Sequence, residues 1–154
     1  MRSVLVPLTT LLLASTVFAQ TWTNCNPLNA TCPSDTALGT NATFNFTSSL
    51  PNLHIWNTTA GTLQQGTDGA AFVISQRGDS PTIQSLFYIF FGRVEVVMQA
   101  AAGTGIVSSI VLESDDLDEV DWEMIGGNTT FVETNFFGKS CTLCSLVIRL
   151  INSR

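Results

Sequence analysis

A chain of 154 residues, 45% hydrophobic and only 12% charged, is too apolar to stay disordered and short enough for one domain or part of one. Twelve Asp and Glu against six Lys and Arg give a net charge of -6, which repels a phosphate backbone and excludes nucleic acid as an expected partner. Seven of the twelve acids fall between Glu113 and Glu123, so the charge marks one locality.

At the N-terminus, Arg2 precedes a run over 4–13 that is apolar except for Thr9 and Thr10, and Val17 and Ala19 occupy the positions of a small-residue cleavage site. This pattern predicts a signal peptide over 1–19, with the mature chain starting at Gln20. The run is too short for a membrane span, which needs about 20 apolar residues. A secreted protein, extracellular or in a cell wall, is expected, with no membrane span in the mature chain. Five Asn-X-Ser/Thr acceptors, at Asn29, Asn41, Asn45, Asn57 and Asn128, predict a glycoprotein.

Cys25 and Cys32 enclose a short loop containing Pro27, where a disulfide would tie down the mature N-terminus. Cys141 and Cys144 form a lone C-x-x-C, readable as a redox pair, half a zinc site or a structural pair. Zinc would need further ligands, and His54 is the single histidine. No metal and no cofactor are expected.

From residue 20 to about residue 50 the chain is rich in Asn, Thr, Ser and Pro and reads as a loop-rich extension leading into short strands. Runs dense in β-branched and aromatic residues follow at 71–75, 83–91, 93–100, 106–113, 119–125 and 130–137. Turn signals such as Arg77-Gly78-Asp79, the 102–105 stretch and Gly126-Gly127-Asn128 separate them. No stretch carries helical periodicity. The fold class is therefore all-β, an antiparallel β-sandwich or jelly roll.

Within the segment Asp118-Glu119-Val120-Asp121-Trp122-Glu123, strand alternation puts Glu119, Asp121 and Glu123 on one face and Val120, Trp122 and Met124 on the other. Three acids in a row repel one another, and strands disfavour Asp and Glu, so a merely solvated face gains nothing from them. Neighbouring acids with separated proton affinities are what retaining glycoside hydrolysis requires, with two carboxyl groups about 5 to 5.5 Å apart. Glu119 and Glu123 are the candidates, and Asp121 between them can hydrogen-bond the nucleophile and, by its charge, keep a proton on a neighbour. Calcium fits poorly, because Val120 and Asp121 stand where a calcium loop needs its turn glycine.

Other motifs fail. Gly138-Lys139-Ser140 echoes the end of a phosphate-binding loop, but Glu133 replaces the glycine required five residues earlier. His54 stands alone in a turn-rich stretch, which leaves no Ser-His-Asp arrangement. Trp22 and Trp56 are able to stack on sugars, yet as isolated aromatics they read more readily as packing residues.

The stretches Pro81-Thr82-Ile83-Gln84-Ser85, Phe87-Tyr88-Ile89-Phe90-Phe91-Gly92-Arg93-Val94-Glu95-Val96-Val97-Met98, Gly105-Ile106-Val107-Ser108-Ser109 and Ser114-Asp115-Asp116-Leu117-Asp118-Glu119-Val120-Asp121-Trp122-Glu123 together resemble the fungal Crh-type cell-wall transglycosylases of glycoside hydrolase family 16. The segment from Cys25 to Cys32, with Asn26-Pro27-Leu28, also looks like the start of that family's mature domain. The resemblance covers roughly residues 20–139.

It implies a concanavalin A-like jelly roll with a sugar-binding cleft, and an enzyme that cleaves chitin and joins the released end to β-glucan. Polysaccharide is then the expected partner. Carried onto matching positions, Glu119 would be the nucleophile, Glu123 the acid/base and Asp121 the assisting carboxylate. Family members continue well beyond Lys139, whereas residues 140–154 form a divergent tail here, so the sandwich is expected to be truncated on its C-terminal side, with edges and core faces uncovered. The alternative to an enzyme is a catalytically inactive, truncated carbohydrate-binding or structural wall glycoprotein.

Overall fold

The computed structural model describes residues 23–48, 52, 54–128, 130–138 and the backbone of 146–152. The expected signal peptide over 1–19, Trp22, Lys139, Cys141 and Cys144 lie outside these residues. Nine strands and no helix occur among the described residues: β1 (Trp56–Ala60), β2 (Leu63–Gln65), β3 (Ala70–Phe72), β4 (Thr82–Ser85), β5 (Gly92–Met98), β6 (Val107–Glu113), β7 (Glu119–Ile125), β8 (Glu133–Phe137) and β9 (Leu146–Asn152). The all-β expectation holds.

Pairing is antiparallel for β1 with β4, for β2 with β3 and for the three-stranded sheet β6-β7-β8. The exception to antiparallel order is β5, which pairs with β9 in parallel from Gly92↔Leu146 to Met98↔Asn152. Residues 146–152 thus supply a strand to the edge of β5.

Strand bounds depart from the sequence reading where local polar contacts compete with the ladder. The run at 83–91 does not continue as one strand: β4 stops at Ser85, whose hydroxyl donates to the Phe87 carbonyl at 2.9 Å. Beyond it, Tyr88 is bridged to Ala37 through Tyr88 N–H to the Thr36 carbonyl (2.8 Å) and Leu38 N–H to the Tyr88 carbonyl (3.0 Å). The run at 130–137 begins only at Glu133, because Thr130 N–H and hydroxyl both donate to the Asn128 side chain at 3.3 and 2.7 Å, closing a turn. Strands β1 and β2 escaped the sequence reading because they are short and mostly polar and lack apolar alternation.

The 23–48 segment is loop-rich as expected, and its anchor is a disulfide between Cys25 and Cys32 with Cα atoms 5.7 Å apart. Its far end packs Phe44 and Phe46 against Trp56, with ring centroids 5.2 and 5.9 Å apart, and Phe87 completes the cluster at 5.4 Å from Phe44. Trp56 is therefore a packing residue. His54 is exposed, its N–H bound to the Asn52 side chain at 2.9 Å.

Apolar burial is otherwise thin. Among the described residues the buried hydrophobic side chains are Leu63 and Met124, while Phe90 is 96% and Phe136 73% exposed. Among the described residues, large apolar side chains such as Phe91, Val97 and Phe137 also lie open.

At the end of β7 the chain makes its closest approach to a neighbour. Gly126 N–H donates to the Ile106 carbonyl at 2.7 Å, and the Gly126 carbonyl accepts from Gly103 N–H at 3.0 Å. A Cβ on Gly126 would lie 2.6 Å from the Ala101 carbonyl oxygen and 2.7 Å from that of Gly103. Both contacts are with backbone, which has little freedom to retreat. Gly126→Ala is therefore expected to cost about 1–3 kcal/mol in urea denaturation, the usual scale of overpacking. A loss below about 0.5 kcal/mol would show that this approach does not constrain β7.

Candidate active site

Strand β7 is the central strand of its sheet. Its register with β6 runs without a slip from Glu119↔Glu113 to Ile125↔Val107, and with β8 from Glu119↔Phe137 to Glu123↔Glu133. No bulge interrupts the alternation, so Glu119, Asp121 and Glu123 share one face. The three residues singled out in the sequence are brought together.

Directly opposite residues in an antiparallel ladder also share a face. Glu113, Val111 and Ser109 of β6 flank the acids on one side, and Phe137, Asn135 and Glu133 of β8 flank them on the other. Glu113 and Glu133 therefore join the carboxylate face, with Asn135 beside Asp121 and the exposed Phe137 ring beside Glu119. The sequence reading missed these four residues. A signal for Glu113 was present, because the short turn after it places it across from Glu119.

That turn is built from its own polar side chains. Ser114 N–H donates to the Asp118 carbonyl at 2.9 Å and Leu117 N–H to the Ser114 carbonyl at 3.0 Å. The Ser114 hydroxyl accepts from Asp118 N–H at 3.0 Å and donates to Asp116. Leu117 closes the loop with φ of 68°, the left-handed conformation that three-residue hairpin loops require. Outside the turn, the Tyr88 hydroxyl donates to Asp115 at 2.6 Å, and this bond raises the phenol to about 12.

Burial is unequal along the triplet. Asp121 is 7% exposed, whereas Glu119 and Glu123 are half-buried. The Asp121 Oδ1 atom is buried and takes no hydrogen bond from the described residues. Burial lifts the proton affinity of Asp121 above the ordinary carboxylate range. Glu119 is lifted as well, by burial first and then by the neighbouring Asp121 charge. Protonation of Asp121 removes that second contribution, leaving Glu119 beside a neutral proton donor. Chemically, the face offers an ionisable carboxylate, a buried acid able to hold a proton, and a further carboxyl group at Glu123.

Glu119 and Glu123 are four residues apart, roughly 13 Å between Cα atoms in an extended strand. Their side chains close that separation only by leaning toward Asp121. Among the described residues, no group of three or more His, Cys, Asp and Glu forms a metal site.

Comparison with known proteins places the chain among its relatives. Residues 51–146 match the model of glycosyl hydrolases family 16. Crh-like protein 2 of Botryotinia fuckeliana is 65% identical over 131 residues, 85% of this chain and 29% of that protein. Crh-like protein 5 of Aspergillus fumigatus is 58% identical over 125 residues, 80% of this chain and 31% of that protein. Among solved structures, a Crh5 transglycosylase in complex with NAG superposes with a TM-score of 0.67 at 55% identity, covering 75% of this chain and 47% of its own. The chain thus spans about a third of the length of these relatives and about half of that structure.

The raised affinities of Asp121 and Glu119 fix the sign of a pH effect. Each group holds its proton more tightly folded than unfolded, so its stabilising contribution is present below the unfolded value and is lost as pH rises through the folded one. The thermal midpoint of the parent should fall as pH rises from about 4 toward 7. Asp121→Asn should flatten part of that slope and leave the protein more stable at neutral pH. An unchanged slope, or a variant less stable at neutral pH, would show that burial of this carboxyl is not what sets it.

Proposed function

Because the chain belongs to glycosyl hydrolase family 16, we propose that it is a retaining glycosidase or transglycosylase of the fungal cell wall, secreted and glycosylated, with chitin as donor and β-glucan as acceptor. The observation that carries this reading is the unslipped register of β7, which holds Glu119, Asp121 and Glu123 on one face of a central strand. The Crh5 likeness, solved with NAG bound, supports an N-acetylglucosamine polymer as donor.

In the proposed reaction, Glu123 protonates the glycosidic oxygen while the Glu119 carboxylate attacks the anomeric carbon, breaking the linkage and forming a glycosyl ester. Asp121 holds its proton and donates a hydrogen bond to Glu119, which keeps the nucleophile ionised and in place. Glu123, now a carboxylate, takes the proton from an acceptor hydroxyl, whose oxygen attacks the ester carbon and releases Glu119. Transfer exceeds hydrolysis when a bound acceptor sugar presents its hydroxyl at an effective concentration above that of water.

A second reading, a carbohydrate-binding wall protein without turnover, is favoured by the thin core, in which Leu63 and Met124 are the buried apolar side chains described. A labelled mechanism-based glycoside separates the two, since only a working nucleophile is trapped on Glu119.

Glu119→Gln and Glu123→Gln are each expected to lower transfer by about a hundredfold or more while leaving oligosaccharide binding nearly unchanged, because neither alters side-chain volume. Initial rates with a chitin oligosaccharide donor and a labelled glucan acceptor measure this. Either variant within about tenfold of the parent would remove that residue from the mechanism.

A further inference from the structure

The five Asn-X-Ser/Thr acceptors are equivalent in sequence and unequal in the fold. At Asn45, the side-chain oxygen Oδ1 accepts from the Thr47 N–H at 2.9 Å and from the Thr47 hydroxyl at 2.8 Å. Asn128 repeats the arrangement, its Oδ1 accepting from the Thr130 N–H at 3.3 Å and from the Thr130 hydroxyl at 2.7 Å. Both lone pairs of each Oδ1 are thereby taken by the residue two positions on. Both asparagines are exposed, and Nδ2 of each, the atom that carries an N-linked sugar, has no hydrogen bond among the described residues.

The remaining acceptors lack this pair of bonds. Asn57 is the second residue of β1 and pairs with Gln84 of β4. In an extended strand, residues two apart stand roughly 7 Å from one another, too far for the Thr59 hydroxyl to meet Asn57 Oδ1. Among the described residues, Thr31 makes no bond to Asn29 and Thr43 none to Asn41. Conversely, Asn26 and Asn52 accept from the N–H of Leu28 and of His54, each at 2.9 Å, but have no hydroxyl two positions on. Turn, hydroxyl and acceptor coincide at Asn45 and Asn128.

We propose that Asn45 and Asn128 are the preferred glycan acceptors of this chain, selected by a turn in which the Thr two positions on holds Oδ1 by its N–H and hydroxyl together. The proposal rests on the secreted reading for access to a transferase. A carboxamide nitrogen is a poor nucleophile because its lone pair is shared with the carbonyl. Two hydrogen bonds on Oδ1 stabilise negative charge there and loosen the Nδ2 protons. Nδ2 gives one proton to the base of the transferase and attacks the anomeric carbon of a lipid-linked oligosaccharyl diphosphate. The C–N bond forms as the C–O bond breaks, and the diphosphate leaves with its electron pair. Each turn spans three residues, so it forms in the nascent chain without waiting for the sheet. On the finished fold, a sugar on Nδ2 leaves both Oδ1 bonds in place, and the turn that precedes β8 survives its attachment.

The test is site-by-site occupancy of the full chain made in a eukaryotic secreting host. Protein pooled from cells and medium is treated with an N-glycosidase in heavy-oxygen water, and its peptides are read by mass spectrometry. One preparation keeps residues 1–19, and a second replaces them with the host's own secretion leader. Asn45 and Asn128 should each be occupied about fivefold or more as often as Asn57, the ratio given by one hydrogen bond of preorganisation. His54→Thr adds the missing hydroxyl to the existing turn at Asn52 and should make Asn52 an acceptor filled like Asn45.

An Asn57 filled as well as Asn45 and Asn128 would overturn the selection. An Asn52 left bare in His54→Thr would overturn it too, since that exposed position already has the turn. No export and no glycan in the first preparation, with Asn45 and Asn128 preferentially filled in the second, defeats the secreted reading and leaves the selection standing. Export of the first preparation with even occupancy at every acceptor defeats the selection alone.

Discussion

The central position of β7, paired in unslipped register along both edges, holds three acids together against their mutual repulsion. Alternate residues of a strand stand about 7 Å apart, and two carboxylates at that distance repel by about 2 kcal/mol at an effective dielectric of about 20. Ladder hydrogen bonds contribute about 1 kcal/mol each, and β7 shares seven residue pairs with β6 and five with β8. The ladder outweighs the repulsion, and protonation of one member lowers it further. An edge strand would have lacked half of that support.

Burial then differentiates acids that the sequence presents as equivalent. Asp121 sits in the middle of the triplet and in the middle of the sheet, with Val111 on one side and Asn135 on the other. Its carboxyl is covered while those at the ends remain half open. The middle acid is therefore the one whose charged form is penalised by desolvation alone, which is why the proposed reaction has it supply the proton that an ionised neighbour needs. Position along the strand has become position along a proton-affinity scale.

The period-two pattern from Glu119 to Glu123 was legible because it depends on local backbone geometry, and so were the strand runs bounded by glycine and proline turns. The pairing partners were less so. Glu133 and Asn135 reach the acidic face through a register set by the turn at Asn128, where a side chain bonds Thr130 and shortens the following strand. Tyr88 lay inside an apparent strand at 83–91, and only its contacts with Thr36, Leu38 and Asp115 reveal it as a strut between distant segments. β1 and β2 were hidden because they are short and mostly polar, without the apolar alternation that marks a strand, and pairing with β4 and β3 settles their conformation.

The β6-β7 hairpin fixes one end of the acidic face. Leu117 occupies a left-handed conformation that costs a non-glycine residue about 1–2 kcal/mol. Ser114 fastens the loop from within, by its backbone and its hydroxyl, and Tyr88 fastens it from outside through Asp115. These bonds together offset the backbone cost, and they leave the loop one shape. Glu113 and Glu119 are the first residues below that loop on either arm, so a fixed tip fixes the distance between two carboxyls of the acidic face, one of them the proposed nucleophile. In the proposed reaction a sugar on that face would meet a carboxyl already held in place, and such preorganisation is how binding energy is turned into alignment at the reacting carbon.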